Sequence, residues 1–214
     1  ARRPNTPSAP ELNADTALLD DLQKQMTALR EGTGNSIDIL LDMNFNFKTE
    51  GYLRVIRALK QFNLLWFELD LFNPEALAYI RKQGNETIAS CESLYGHREF
   101  RPYFEAQSMD VAIVDIPWNG AWQSYKIAAL ADAYETNVAP HNFYGHLCTM
   151  MSAHLCAAIP NFRIMEIDVD DVPWRDDLVT DVPLIENGML TIPDRPGWGT
   201  EINEDAVAAH PVVR

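Results

Sequence analysis

The chain has 214 residues, 47% hydrophobic and 10% aromatic, and a formal net charge of −14. That is enough apolar material for one sizeable core and too much for a disordered chain. The acidic balance excludes the basic surfaces that nucleic acid or an anionic membrane would require, and no apolar run approaches the roughly 20 residues of a membrane span. Cys91, Cys148 and Cys156 are an odd number. The last two share a helix-length segment at a separation of about 12 Å of helical rise, too far for a bridge, so the thiols read as reduced, as in a cytoplasmic protein.

Residues 1–14 are rich in Pro, Ala, Asn and Ser and read as an irregular lead. Asp15 is a suitable N-cap for a helix with Leu18, Leu22, Met26 and Leu29 on one face and Gly32 as its stop. Ile37 to Met43 reads as a strand buried on both faces. A helix from Thr49 to Phe62, with Tyr52, Ile56 and Leu59 inward, leads to the strand LLWFE. Asn73-Pro74 opens the next helix, because Pro is tolerated in a first turn. Then come TIASCE, a helix over Arg98–Ala106, the strand VAIVD, and a helix over Gly120–Tyr134 with Ile127, Leu130 and Ala131 inward. NVAPH, a small-residue helix over Gly145–Ala158 and the strand RIMEID complete the alternation. Residues 169–214, rich in Asp, Pro and Gly with a strand-like MLTI, read as a tail packing back on the body. The layout expected is therefore a loop and helix over 1–35, βα units over 36–168 and the tail over 169–214.

Six of these apolar runs end in a residue able to bind a metal or move a proton: Asp42, Glu68, Glu92, Asp115, His141 and Glu166. Subtracting their numbers gives steps of 26, 24, 23, 26 and 25 residues, the period of one strand plus one helix. In a (β/α) barrel all strands end at one mouth, so five acids and a histidine would repel one another there unless a cation sat among them. A divalent-metal site at the top of an α/β, TIM-like barrel is the expectation. A complete (β/α)8 barrel takes about 250 residues, so this one looks two strands short.

These strand ends resemble the enolase superfamily, in its mandelate racemase and muconate lactonizing branch, and most closely the acid-sugar dehydratases. The resemblance implies a modified (β/α)7β barrel of which the last six βα units are visible. It implies Mg2+ bound by Asp42, Glu68 and Glu92, a dyad of Asp115 (in VDIPWNGA) and His141 (in APHNFYGHL), and a last-strand acid, Glu166, in PNFRIMEID. The closing segment ENGMLTIPDRPGWGTEI is similar too. Three features depart from the family. Glu68-Leu69-Asp70 stands where Glu-Glu-Pro is usual, Gly120-Ala121 stands for paired glycines, and neither the strand with a Lys pair nor the N-terminal capping domain is present in this sequence. Lys24, on a predicted helix, is a poor substitute for that lysine.

Three carboxylates around Mg2+ leave about one negative charge, so the ion can still take a substrate carboxylate. A carboxylate on the Nδ1–H of a histidine fixes the tautomer and favours imidazolium, which frees the other nitrogen for acid–base work. The implied reaction is removal of the proton α to a carboxylate through an enediolate, most readily dehydration of a small sugar acid to a 2-keto-3-deoxy acid. A racemase, epimerase or cycloisomerase, and an inactive metal-binding barrel, are the alternatives. An aldolase-like barrel would need a Gly-rich phosphate loop near the last strands, which the sequence lacks. Glu166 would orient the substrate or dyad, or pair with an arginine. Asn44 would share the face of Asp42 if its strand continued, and Trp118 and Asn119 would wall the pocket. His97, His146 and His154 read as loop or packing residues. The family is commonly homo-oligomeric, which extends to this chain as an expectation.

Overall fold

In a computed structural model that describes residues 13–169 and 172–211, the strand–helix alternation takes shape in two compact units. The first is built from residues up to Cys91 together with Pro102–Val111, and the second from Glu92–Arg101 together with residues from Ala112 onward. Of the irregular lead expected over residues 1–14, residues 1–12 lie outside the described residues.

The first unit begins with α1 (Thr16–Thr33), capped by Asp15, whose carboxylate accepts the Leu18 N–H at 3.0 Å. Its end runs past Gly32 to a cap at Gly34, and Arg30 near that end donates to the carbonyls of Ile37, Phe62 and Asn63. Of its expected apolar stripe only Met26 is buried. β1 (Leu40–Asp42) is followed by α2 (Thr49–Leu59) and a short 3-10 turn to Phe62. Tyr52, Ile56 and Leu59 are fully buried, as their helical spacing requires. Next come β2 (Trp66–Glu68), α3 (Pro74–Gly84, capped by Asn73 through the Ala76 N–H) and β3 (Ile88–Ser90). The strands run in parallel, β1 beside β2 and β2 beside β3, with Asp42 in register with Glu68. Asp110 joins the far ends of this layer. It accepts from the Arg81 guanidinium and from the Ile88 N–H.

The expected strand Ile37–Met43 is a correction. Only Leu40–Asp42 is strand, and Ile37 is 56% exposed. Among the described residues β1 pairs with β2 alone, so it lies at an edge of the sheet rather than being buried on both faces.

α4 (Gly96–Glu105) leads to β4 (Val111–Asp115), buried along its length. In the second unit β4 is followed by α5 (Ile116–Ala133), β5 (Asn137–His141) and α6 (His146–Ala158). The helix expected from Gly120 starts four residues earlier, and Gly120 is a break inside it, at φ 68 and ψ 157. That backbone geometry suits glycine and separates the turn after Asp115 from the long helix. Ile127 and Ala131 are buried as expected, and Leu130 is only half-buried.

RIMEID is the second correction, because no strand forms there. The segment runs parallel to β5 through Val138 N–H to Asn161 O and Arg163 N–H to Val138 O, both at 2.8 Å. The next rung would need an N–H from Pro140, which has none. The ladder resumes only as a long Glu166 N–H to Pro140 O contact of 3.4 Å. The tail carries a hairpin, β6 (Ile185–Glu186) and β7 (Met189–Leu190), turned at Asn187-Gly188 with both φ positive, and α7 (Glu204–Ala209). Among the described residues no helix is long and apolar enough to cross a membrane.

Asp70 is a buried acid that the strand pattern does not single out. Its carboxylate accepts the Ser90 hydroxyl at 3.0 Å and the Cys91 N–H at 2.8 Å. Cys91 has φ 90, a left-handed conformation that a non-glycine residue holds only when something fixes it. Asp70→Ala would leave both donors buried without this acceptor and is expected to cost about 1–3 kcal/mol. A lowered Tm by circular dichroism checks it, and an unchanged Tm would remove Asp70 as the anchor.

Candidate active site

The second unit gathers a hydrogen-bonded cluster of titratable side chains at the ends of β4 and β5. Asp115 closes β4 and caps the helix that follows, its Oδ1 accepting the Trp118 N–H at 2.8 Å. A helix N-terminus is a favourable place for a carboxylate. Its Oδ2 accepts His141 Nδ1–H at 2.8 Å and the Tyr144 hydroxyl at 2.5 Å. The Asp115 side chain is 1% exposed, so its acceptor atoms meet donors of the protein rather than water.

His141 closes β5. With Nδ1 held by Asp115, its Nε2 lies 3.7 Å from Glu92 Oε2 and 3.9 Å from Glu166 Oε2. Glu166 is steadied by the Asn142 N–H, which donates to its Oε2 at 2.7 Å, and Asn142 Nδ2 donates to its backbone carbonyl. Among the described residues Glu166 stands in ion-pair distance of His141. Burial disfavours a charged imidazole. The hydrogen bond to Asp115 and the fields of Glu92, Glu166 and Asp115 together outweigh it and hold the His141 pKa up at about 9. Burial and the bond to Asp115 push the Tyr144 hydroxyl well above the usual phenol range.

Trp118 is 47% exposed, and its ring stacks on Tyr95 at 5.4 Å between centroids. Asn119 turns its carboxamide to the neighbouring loop. Its carboxamide accepts the Gly96 N–H and donates to the carbonyls of Leu94 and Asp115, pinning the loop at 94–96. His97 bonds Gln123, His146 bonds Asp176 and His154 meets the Trp198 carbonyl.

The first unit holds two of the expected metal ligands, at neighbouring strand ends and in register. Asp42 Oδ1 accepts the Asn44 N–H at 2.7 Å, and Glu68 Oε2 accepts the Trp66 indole N–H at 3.3 Å. β1 ends at Asp42, so the alternation that would have aligned Asn44 with it does not apply. Asn44 sits in a left-handed turn with φ 47, and its carboxamide oxygen accepts the Phe45 N–H. Asp42, Glu68 and Glu92 are all hard oxygen donors, the chemistry Mg2+ selects. Among the described residues no group of three or more His, Cys, Asp or Glu is gathered in metal-holding geometry.

Sequence reasoning passed over Tyr144. It stands three residues beyond His141 in the loop before α6, and nothing in its spacing shows that it reaches back to Asp115.

In metal-free protein the His141 resonances are expected to titrate above the ordinary 6.5, toward about 9. The stabilisation from this charged imidazole is present below pH 6.5 and lost as pH rises through about 9. Glu166→Gln removes one of the fields and should lower the midpoint. NMR titration checks both, and a midpoint at or below 6.5 would contradict the cluster.

The chain is 32% identical over 197 residues to a D-xylonate dehydratase of Haloferax volcanii, covering 91% of this chain and 48% of that protein. It superposes with a TM-score of 0.93 and 56% identity on a candidate L-alanine-DL-glutamate epimerase of Burkholderia xenovorans strain LB400, solved with magnesium and fumarate. That match covers 96% of this chain and 51% of the other. A mandelate racemase/muconate lactonizing enzyme candidate of Labrenzia alexandrii is 25% identical, with a TM-score of 0.87 over 96% of this chain and 55% of its own. The chain thus spans about half the length of the relatives it matches. The family described as Enolase C-terminal domain-like matches residues 12–206, and the chain, an α/β protein of that TIM-barrel-like kind, belongs to it.

Proposed function

We propose that this chain carries the proton-donating part of a Mg2+-assisted dehydration of a small sugar acid, which loses its α proton and β-hydroxyl and leaves a 2-keto-3-deoxy acid. The observation that carries this reading is the buried Asp115–His141 pair, with Nδ1 fixed at 2.8 Å and Nε2 turned toward Glu92 and Glu166. A bound Mg2+ would stabilise the negative charge that develops on the substrate carboxylate as the α proton leaves. We assign its ligands to Asp42, Glu68 and Glu92.

His141, as imidazolium, gives its Nε2 proton to the departing hydroxyl, which leaves as water. Asp115 holds the ring in the tautomer that presents that proton. Glu166 orients the imidazole from its other side. The α proton goes to a base on the opposite face of the substrate. The resemblance gives that role to a lysine on a strand preceding the Asp42 strand. Lys24, exposed on α1 and paired with Asp21, is not that residue. Trp118, exposed beside the dyad, is the residue we assign to packing against the substrate carbons. Asn44, whose side chain turns back on its own loop, is left out of the assignment.

A second reading, epimerisation at the α carbon, is favoured by the 56% identity to the Burkholderia protein. Proton NMR in D2O with Mg2+ and a panel of aldonic, aldaric and dipeptide acids separates the two. Loss of an acid with growth of a 2-keto-3-deoxy product is the expected result. Deuterium entering the α position without elimination would move the assignment to epimerase. His141→Asn is expected to lower turnover about 100- to 10,000-fold. Unchanged turnover in that variant would overturn both readings.

A further inference from the structure

We propose that Tyr144 is a positioning residue for the dyad, sharing one oxygen of Asp115 with His141 and so fixing where the imidazole stands. The inference rests on the dyad chemistry proposed above. The Tyr144 hydroxyl and His141 Nδ1–H converge on the same atom, Asp115 Oδ2, at 2.5 and 2.8 Å, while Oδ1 is occupied by the Trp118 N–H. The phenol ring also stands edge-to-face against the imidazole, 5.3 Å between centroids at 84°. Tyr144 therefore touches both members of the pair.

Its own position is built rather than incidental. Arg175 Nη2 donates to the Tyr144 carbonyl at 3.0 Å, so the tail segment fixes the loop from outside. Two residues earlier, Asn142 is fully buried and bonded to Glu166 and Thr149. A hydroxyl held in this way cannot swing out to a substrate without abandoning the Asp115 carboxylate that it helps to satisfy.

The physical consequence follows from how a carboxylate oxygen divides its charge. An oxygen that accepts two donors binds each more weakly than it would bind one. With Tyr144 present, the His141–Asp115 bond is moderated and the carboxylate plane is held. Without it, Oδ2 is left to the imidazole alone, the bond shortens, and the ring is drawn toward Asp115 and away from its substrate.

The test is Tyr144→Phe in the full chain, with turnover and the His141 Nδ1–H proton resonance of metal-free protein as readouts. The expected result is a kcat lower by about 10- to 100-fold, the loss typical of removing an outer partner, with KM within about twofold. The Nδ1–H resonance should move downfield. On an Asp115→Asn background the same change should cost nothing further, because Tyr144 acts through Asp115. A raised KM with unchanged kcat would make Tyr144 a substrate contact and overturn the proposal. So would effects that multiply in the double variant, or an unmoved Nδ1–H signal. If Tyr144→Phe does not fold, 3-fluorotyrosine placed at 144 keeps the ring. As a stronger donor it should move the resonance upfield, and no movement overturns the proposal. If the wild-type protein turns over no acid, the dehydration reading fails, and the Nδ1–H shift alone still decides for or against the role of Tyr144.

Discussion

Everything in the second unit that could do chemistry hangs on one buried anion, the carboxylate of Asp115. Burying a charge is costly unless donors replace the water it gives up. Here the replacements are a backbone N–H from the first turn of α5, an imidazole N–H and a phenol O–H. One comes from the turn that follows Asp115 itself and two from the end of β5 and the loop after it, so two stretches of chain must meet at the anion. The strand that delivers it, VAIVD, is buried throughout, and the break at Gly120 lets a single helical turn present its amide before the long helix begins.

That arrangement dictates the electrostatics of His141. One nitrogen is committed to Asp115, and the other faces two more carboxylates within 4 Å. In a chain with a net charge of −14 such crowding of acids is tolerable because a proton on the imidazole sits among them.

Much of this was legible in the sequence because a parallel strand is a short apolar run and the side chain that ends it is conspicuous when ionisable. Asp42, Glu68, Asp115 and His141 are indeed the last residues of their strands. Glu92 lies just beyond β3, after the left-handed Cys91, and Glu166 lies on no strand at all. The missing strand is explained by Pro140, a residue on the neighbouring segment. A run of residues read alone does not reveal that its partner lacks a donor. The exposure of β1 has the same character, since an edge is a property of the sheet and not of the seven residues that suggest a strand. Tyr144 was illegible for a third reason. Its partner is 29 residues away and its loop has no period, so only tertiary structure brings the two together. Asp70 was noticed as a departure from a familiar motif, and the structure gives that departure its own use, as the acceptor that holds the end of β3.

The choice between elimination and epimerisation turns on which proton the imidazole is asked to handle. Inverting an α carbon requires one group to take a proton on one face and another to return it on the opposite face, and each must serve in both directions. Expelling a β-hydroxyl asks for a strong, well-placed acid, because hydroxide is a poor leaving group unless it is protonated as it departs. The surroundings of His141 favour the protonated ring, and the neighbouring phenol donates its hydrogen bond to Asp115. The same fields that keep the ring protonated also make it a weaker acid, so they fit a proton donor in either reaction. The high identity to the Burkholderia protein weighs toward epimerisation, but identity spread along a chain reports the scaffold, whereas the acid–base bias belongs to the few atoms around Asp115.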